Sequence, residues 1–222
     1  DATSWENRLT SLRTIFECWI SVQKKWIYLR GIFKSPDIKA QLPTQTTKFK
    51  SVDTELVNMM KRIAAKPGIL DLLQIENLAR QLERHDNTIT MIQKALGEYL
   101  ERQRQSFARF YFVNNDDLLE IIGNANEPTK IFPHLSKMFA GINNLTQVVN
   151  ETGTQISTQM ISREGEIVEF TKPIDLSIGV KEWLFSLCEN MVGTLANLLE
   201  ESRTTLNADN VDLSLEWLDK YP

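Results

Sequence analysis

Two cysteines and two histidines are the side chains of this sequence best suited to nucleophilic catalysis or metal binding. Cys18 and Cys188 both lie within apolar helical patterns, where burial raises the pKa of a thiol and makes it a poor nucleophile. Neither His85 nor His134 has the spacing of a metal site or a plausible nucleophile beside it. We therefore interpret both cysteines as structural thiols, of the kind found in a reducing compartment.

Both histidines have structural interpretations. His85 falls on an apolar helical seam between Leu82 and Ile89, where it is either a tolerated polar residue or a pH-sensitive contact. His134 follows Pro133 at the start of a helical pattern, and we expect it to serve a neighbouring turn. The sequence contains neither a G-x-x-x-x-G-K-[S/T] loop nor a G-x-G-x-x-G loop to cradle phosphates. It therefore predicts no catalytic residue, no bound cofactor and no bound metal ion.

A stretch near the middle of the chain alternates basic and aromatic side chains, namely Arg102, Arg104, Phe107, Arg109, Phe110, Tyr111 and Phe112. Such a pattern could bind single-stranded nucleic acid through ring stacking and phosphate contacts. The alternative is a helix end with outward arginines, followed by a core segment. We favour the alternative because the chain as a whole is acidic and the rings fall on both faces. It predicts a buried extended segment over Arg109–Val113 and no nucleic-acid partner.

A charged turn, made of Arg163, Glu164, Gly165 and Glu166, separates two alternating β-branched segments. These segments, 155–162 and 166–170, predict a β-hairpin whose tip carries the charges. The tip is either a solvated turn or a contact for a partner, and the pattern leaves both interpretations open.

Composition favours long helices over a strand-rich fold. The chain has 222 residues and a mass of 25.6 kDa, with 42% apolar residues, which is enough for one or two cores. Nine glycines and seven prolines are few for this length and leave little of the punctuation that short strands need. No apolar stretch approaches the roughly 20 residues of a bilayer span, so we expect no membrane segment. The net charge of −4 combines a basic first half with an acidic second half.

The first half of the chain predicts three long helices. The first has capping-box spacing at Thr3 and Glu6 and ends at Ser35-Pro36, after which 37–41 form one short turn. Its apolar stripe is heavy with aromatic rings and contains Trp5, Leu9, Leu12, Phe16, Trp19, Trp26, Leu29 and Phe33. The second ends at Lys66-Pro67-Gly68, and the third begins near Leu70. The third follows an almost coiled-coil repeat to Tyr99 and is expected to be the longest.

The second half mixes short helices, a hairpin and a final long helix. Residues 114–117 are expected to cap a helix that ends at Gly123-Asn124, and a further helix carries Phe132 to Ile142. The last helix runs from Val180 to about Arg203, followed by a segment that ends at Trp217. The predicted fold is mainly α, an elongated bundle of long antiparallel helices with a small β-hairpin insertion. We divide it into a helical part (1–144), the insertion (145–176) and a second helical part (177–222).

Several short stretches follow one another in a specific order along nearly the whole chain. They include Trp19-x-x-Val22-Gln23-x-x-Trp26-x-Tyr28-Leu29, Asp37-Ile38-x-x-Gln41-Leu42-Pro43, Arg109-Phe110-Tyr111-Phe112, Asp117-Leu118-Leu119-Glu120-Ile121, His134-Leu135, Ser162-x-Glu164-Gly165-Glu166 and Trp183-Leu184. Together these stretches resemble the linker region of dynein heavy chains. Their order makes the resemblance specific, although Arg30 stands where the family pattern has glutamate. The resemblance favours a cytoplasmic over an axonemal type. We also expect a piece of a longer chain, since the sequence begins at Asp1 rather than at Met.

The resemblance implies a mechanical role. In dyneins the linker is a helical arm that lies across a ring of six AAA+ modules and joins it to the cargo-binding tail. It bends and straightens as ATP is hydrolysed, and straightening drives movement along microtubules. ATP, ADP and magnesium would then bind in the ring modules of the parent chain and not in this segment. The implied partners are the ring of the same chain, microtubules, dynein light and intermediate chains and dynactin, in the cytoplasm.

A lever also needs joints and contacts with the ring. The candidate joints are the breaks at Ser35-Pro36, Lys66-Pro67-Gly68 and Gly123-Asn124, together with the hairpin region. The candidate ring contacts are Asn115, Asp116, Asp117, Arg163, Glu164, Gly165 and Glu166. The alternative function is a helical scaffold or tether without a motor role, against which the absence of internal repeats speaks.

Overall fold

The computed structural model describes residues 1–206, and the chain divides into two compact units. The first unit is Asp1–Ser106, and the second begins at Phe107. The first unit is helical throughout, whereas the second combines helices with a small antiparallel sheet. The predicted class, mainly α with a small β insertion, is therefore confirmed. The predicted division at 144 and 176 stays a prediction, and the segment that ends at Trp217 lies outside the described residues.

The first unit contains α1 (Ala2–Ile32), α2 (Pro36–Gln41), α3 (Pro43–Ala65) and α4 (Leu78–Ser106), with a 3₁₀ turn over Ile69–Gln74. Pro36 and Pro43 each occupy the first turn of their helix, where a missing N–H costs nothing. The predicted capping box is wrong, because α1 begins one residue before Thr3 and has Asp1 at its N-cap.

The third predicted helix is shorter than expected. Asn77 has a left-handed φ of 57°, which an α-helix cannot contain, so α4 begins only at Leu78. The apolar residues before it form the 3₁₀ turn instead. As a result α1, with 31 residues, and not α4, with 29, is the longest helix of the described chain.

Side-chain contacts fix the directions of the three long helices. Trp26 Nε1 donates to Asp53 Oδ1 at 2.8 Å, and the rings of Phe33 and Phe49 stack with centroids 5.0 Å apart. In these two contacts the residue number increases along α1 while it decreases along α3, so the two helices are antiparallel. Lys25 of α1 meets both Asp86 (2.8 Å) and Thr90 (3.2 Å) of α4. Together with the contact between Ser21 and Asp86, this order places α1 and α4 in the same direction, in an up-down-up bundle.

The core of this unit is the seam of α4. Of the positions predicted for this seam, Ile75 precedes α4 and is half-buried, and the others are buried, namely Leu78, Leu82, His85, Ile89, Ile92, Leu96 and Tyr99. The stripe predicted for α1 is only partly buried, because Leu12, Trp26 and Leu29 face the core while Trp5 and Leu9 are exposed. Apolar side chains therefore cover a second face of α1. We call this face the α1 stripe; it consists of Trp5, Leu9, Phe16, Ile20 and Ile27.

The helical part of the second unit is more broken than predicted. It contains α5 (Asn115–Gly123), α6 (Pro128–Ile131) and α7 (Leu135–Met138), with 3₁₀ turns over Ala108–Phe112 and Phe132–His134. The predicted single helix from Phe132 to Ile142 is wrong. Pro133 lacks a donor and restricts the residue before it, and Phe139 is already extended (φ −129°, ψ 115°).

The predicted extended segment Arg109–Val113 is also wrong. Four of its residues form a 3₁₀ turn in which Phe110 is fully buried, whereas Tyr111 and Phe112 are 55% and 70% exposed. With three residues per turn, a 3₁₀ helix cannot hide adjacent rings on one side, so the aromatic cluster divides between core and surface.

The predicted hairpin is confirmed and belongs to a larger sheet. It consists of β3 (Gln155–Ile161) and β4 (Ile167–Asp175), which pair in antiparallel fashion with an irregularity between Ser157 and Gln159. The other edge of β3 pairs with two short strands, β1 (Asn144–Leu145) and β2 (Val148–Val149). β3 is therefore paired along both edges, and the turn that follows it connects it to its partner β4.

The last helix, α8 (Val180–Leu206), packs on β4. Trp183, Leu184 and Leu187 are fully buried, and the Thr194 hydroxyl meets both the backbone N–H and the hydroxyl of Thr171 at 3.1 Å. Another face of the helix is apolar and exposed. We call it the α8 stripe; it consists of Phe185, Val192, Leu195 and Leu199. Within the described residues, no helix has the length and hydropathy to cross a membrane.

Leu82→Ala should lower the free energy of unfolding of the first unit by about 3 kcal/mol, because a fully buried leucine leaves a cavity. Met91 lies on the same helix and is 62% exposed, so Met91→Ala should change the free energy of unfolding by less than about 0.5 kcal/mol. Urea unfolding followed by circular dichroism measures both. Equal losses for the two variants would contradict the assignment of the α4 seam as the core.

His85 should make the first unit less stable in mild acid. Burial lowers the pKa of His85 below its ordinary value of 6.5; Glu55, whose Oε2 lies 3.8 Å from Nε2, opposes the shift, and Arg84 reinforces it. As the pH falls below 6.5, His85 is protonated in the unfolded chain before it is protonated in the folded chain. The free energy of unfolding therefore decreases until the pH passes the lower pKa of the folded state. His85→Leu should flatten this decline in urea unfolding at a series of pH values. An unchanged slope would show that His85 is not its source.

Candidate interaction site

The tip of the β3–β4 hairpin is a well-formed turn rather than a loose loop. The Ser162 hydroxyl accepts hydrogen bonds from the backbone N–H groups of Glu164 (3.2 Å) and Glu166 (3.0 Å). The Ser162 N–H in turn donates to the Glu166 carbonyl at 2.9 Å. Gly165 has a φ of +91°, a conformation that L side chains rarely adopt, which explains the glycine at this position.

All four predicted residues of the tip are exposed. Arg163, Glu164, Gly165 and Glu166 stand together at the end of the hairpin, as the sequence indicated. Two carboxylates and one guanidinium stand on a turn held by Ser162, which has little backbone freedom to lose on binding.

The second group of predicted contacts lies at the start of α5. The Asn114 side chain accepts from the Asp117 N–H at 2.8 Å, which is the predicted cap. Asn115 and Asp116 are exposed at this helix end. Asp117 differs from them, because its side chain is 16% exposed and its Oδ2 lies 2.7 Å from Lys137 Nζ. The structure therefore places Asp117 inside its own unit and leaves Asn115 and Asp116 on the surface.

The inward position of Asp117 creates a cluster that the sequence did not predict. His134 lies against Asp117 and Glu120, and one ligand-type atom from each of the three lies within 4.8 Å of the others. The sequence separation of His134 from α5 hid this arrangement, because no short motif connects them. Only the spacing of Asp117 and Glu120, which share one helix face, was visible in advance.

Arg109 acts as an internal clamp. Its Nη1 donates to the Met138 carbonyl at 2.9 Å, and its guanidinium lies 4.6 Å from the centre of the Phe139 ring. Phe107 is buried as well, with edge-to-face contacts at 5.0 Å to both Phe110 and Phe185. One arginine and two rings of the basic-aromatic stretch are thus used within the unit. The burial of Phe107 and Phe110 agrees with the predicted core segment, whereas the inward Arg109 departs from the predicted outward arginines.

The cysteines resemble packed thiols more than reactive ones. Cys18 and Cys188 are half-buried and free of disulfides. Burial raises the pKa of Cys18, and the negative charges of Asp86 and Glu83 raise it further, so the thiolate is disfavoured at neutral pH. This is the direction expected from its place in an apolar helical pattern.

Each unit also carries an open cleft. In the first unit a cleft of about 440 Å³ is lined by basic side chains beside the stacked rings of Phe33 and Phe49; these are Arg30, Lys34, Lys39 and Lys50. In the second, a cleft of about 450 Å³ follows the contact between Thr171 and Thr194 and has a polar lining. Both are surface grooves.

Comparison with known proteins identifies relatives over the whole chain. The family model described as "Dynein heavy chain, N-terminal region 2" matches residues 1–202. The chain is 46% identical over 228 residues to a protein of Dictyostelium discoideum named "Dynein heavy chain, cytoplasmic", and 42% identical over 228 residues to one of the same name from Caenorhabditis elegans. It is 33% identical over 225 residues to "Dynein axonemal heavy chain 17" of Mus musculus.

The three alignments cover 100% of this chain and 5% of each relative. The chain thus spans about one twentieth of the length of these relatives. Similarity is higher to the two cytoplasmic heavy chains than to the axonemal one, in the direction the sequence pattern favoured.

Arg109→Lys should destabilise the second unit by about 1–2 kcal/mol, because a lysine cannot keep both the carbonyl contact and the planar contact with the Phe139 ring. Arg163→Lys, at the exposed hairpin tip, makes the same chemical change and should leave unfolding within about 0.5 kcal/mol. Denaturant unfolding of the two variants compares them directly. If Arg109→Lys unfolds like the Arg163 control, the clamp contributes nothing to stability.

Proposed function

The chain belongs to the dynein heavy chain family, and from this we propose that it is part of the mechanical linker that couples ATP hydrolysis to movement along microtubules. The observation that carries the proposal is the match of residues 1–202 to an N-terminal region of these heavy chains. ATP and magnesium would bind elsewhere in the parent chain, in its AAA+ ring. The chain would act by transmitting force, in the cytoplasm, as part of a motor complex.

The packing of each unit supports a load-bearing role. A lever has to resist bending, and long helices joined by a dense core resist it because side chains at close packing cannot be displaced without cost. The first unit joins three long helices through the buried α4 seam and through polar contacts such as Trp26 with Asp53. In the second unit, α8 is joined to β4 through Thr171 and Thr194.

The exposed apolar stripes support membership of a larger arm. The α1 stripe and the α8 stripe leave large side chains in solvent, among them Val192 at 72% and Leu199 at 71% exposure. Rows of exposed apolar residues of this kind indicate surfaces that another element covers. Because the chain spans 5% of its relatives, the rest of the heavy chain is the natural source of that cover.

The hairpin tip and the start of α5 are the proposed contacts with the ring. Glu164 and Glu166 supply the negative charge at the tip, on a turn that Ser162 holds in place. Asn115 and Asp116 supply a second polar surface; Asp117 is set aside, because it is paired with Lys137. Two separated contacts let a ring favour one arrangement of the arm over another as nucleotide changes.

The candidate joints at three chain breaks lie within the packed units. Ser35-Pro36 and Lys66-Pro67-Gly68 both lie inside the first unit, where they connect helices that pack together, and Gly123-Asn124 lies inside the second. In each case the break turns the chain within a packed unit. Their role as joints of the arm stays a prediction.

Glu164→Lys combined with Glu166→Lys should slow ATP-driven microtubule gliding by a complete motor about two-fold or more. Reversing two charges at a docking contact weakens the docked state without disturbing the core, since both side chains are exposed. Gliding velocity and ATP turnover are measured on the same preparation. The account predicts a larger loss in velocity than in turnover.

The matched control is Glu76→Lys combined with Glu98→Lys. It makes the same change in net charge at two exposed positions of the first unit, neither of which belongs to the hairpin. This control should glide at the normal speed. If the tip variant also glides at the normal speed, the tip is not a ring contact; if both variants are slowed equally, net charge rather than docking is responsible.

A further inference from the structure

A small polar cluster in the second unit has the chemistry of a metal site. Asp117 and Glu120 project from the same face of α5, and His134 ends the 3₁₀ turn over Phe132–His134. One ligand-type atom of each lies within 4.8 Å of the others. We propose that these three side chains bind a divalent transition-metal ion of the zinc type, between α5 and the turn that follows it.

The distances within the cluster fit ligands better than hydrogen bonds. His134 Nδ1 lies 3.5 Å from Asp117 Oδ1, and His134 Nε2 lies 3.5 Å from Glu120 Oε2. Hydrogen bonds between nitrogen and oxygen are usually about 2.7–3.2 Å long. Two ligands held about 2.0–2.1 Å from a tetrahedral zinc ion are separated by about 3.3–3.4 Å. Nδ1 and Nε2 point in different directions, so the ion would bind Nδ1 beside Asp117 Oδ1, and the exposed Glu120 side chain would turn from Nε2 to complete the set.

The burial of His134 without a hydrogen bond at Nδ1 is independent evidence for a missing ligand. The residue is 6% exposed, and its Nδ1 is buried with no hydrogen-bond partner. A buried polar nitrogen without a partner is costly, and protein interiors rarely leave one so. The nitrogen is directed at the Asp117 carboxylate, so an ion bound there would satisfy it.

The contact of Asp117 with Lys137 orients the other carboxylate oxygen toward the proposed ion. Oδ2 is paired with Lys137 Nζ at 2.7 Å, while Oδ1 faces His134. Such a hydrogen bond to the non-binding oxygen is typical of the outer shell of metal sites. Glu120 completes the set from the solvent side, since its side chain is 56% exposed and leaves a path for entry. Two carboxylates against one ammonium also leave a net negative charge for a cation.

The donor set selects among metals. One imidazole nitrogen with two carboxylate oxygens suits zinc and its neighbours, whereas calcium and magnesium prefer oxygen ligands throughout. Three protein ligands leave a fourth position for water or for a further group. The proposal therefore concerns a site that fastens α5 to the His134 turn, and it does not depend on the lever function.

Zinc chloride is the probe for the full 222-residue chain, with bound zinc measured by equilibrium dialysis and elemental analysis. We expect one zinc ion per chain and a rise of several degrees in the midpoint of thermal unfolding. Glu120→Gln should weaken binding about tenfold or more, and because this side chain is exposed the variant should fold normally. His134→Gln should abolish binding.

The controls separate this cluster from other zinc ligands. Glu127→Gln changes an exposed carboxylate at the N-cap of α6 and should bind zinc as the unchanged chain does. Replacing Cys18 and Cys188 together by serine should likewise leave binding intact. Failure to bind zinc would overturn the proposal. Binding that survives both Glu120→Gln and His134→Gln, or that disappears with the cysteines, would overturn it as well.

Discussion

The burial of one continuous face of α4 against α1 and α3 is the interaction on which the first unit depends. Leu82 and Ile89 lie in the middle of this face without solvent exposure, and the contacts of Trp26 with Asp53 and of Lys25 with Asp86 set the register around it. Apolar burial supplies most of the stabilisation, while the polar contacts choose one arrangement among several. A unit built in this way changes shape only at a high cost, which is what transmission of force requires.

Strong periodicity made much of this fold predictable. The α4 seam, the hairpin around Gly165 and the cap at Asn114 follow from short-range rules of spacing and turn chemistry. Two of the failures are local breaks that apolar periodicity hides, because Asn77 ended a seam that continued in sequence and Pro133 divided a helix. In a third, a 3₁₀ turn distributed the rings beside Phe110 between core and surface. A periodic pattern also does not show which of two apolar faces is buried, since Leu9 belongs to the apolar stripe predicted for α1 and is exposed.

Only the part of the candidate site that is local in sequence was predictable. The exposed turn from Arg163 to Glu166 is a local feature, and the structure places it where the pattern indicated. The inward turn of Asp117 depends on Lys137 and His134, which come from another element, so no local rule could have revealed it. Membership of the dynein heavy chain family rests on similarity along the whole chain, whereas the mechanical role is an inference that packing, exposed stripes and surface charge support together.

The most direct test of the mechanical account is to remove residues 5–203 from the parent heavy chain, rejoin the flanking segments, and measure ATP turnover and microtubule gliding together. The account predicts that ATP hydrolysis persists while movement collapses, because the ring keeps its nucleotide sites and loses the arm that transmits their energy. Gliding at the normal speed would contradict the account and would leave a passive scaffold as the function of this chain.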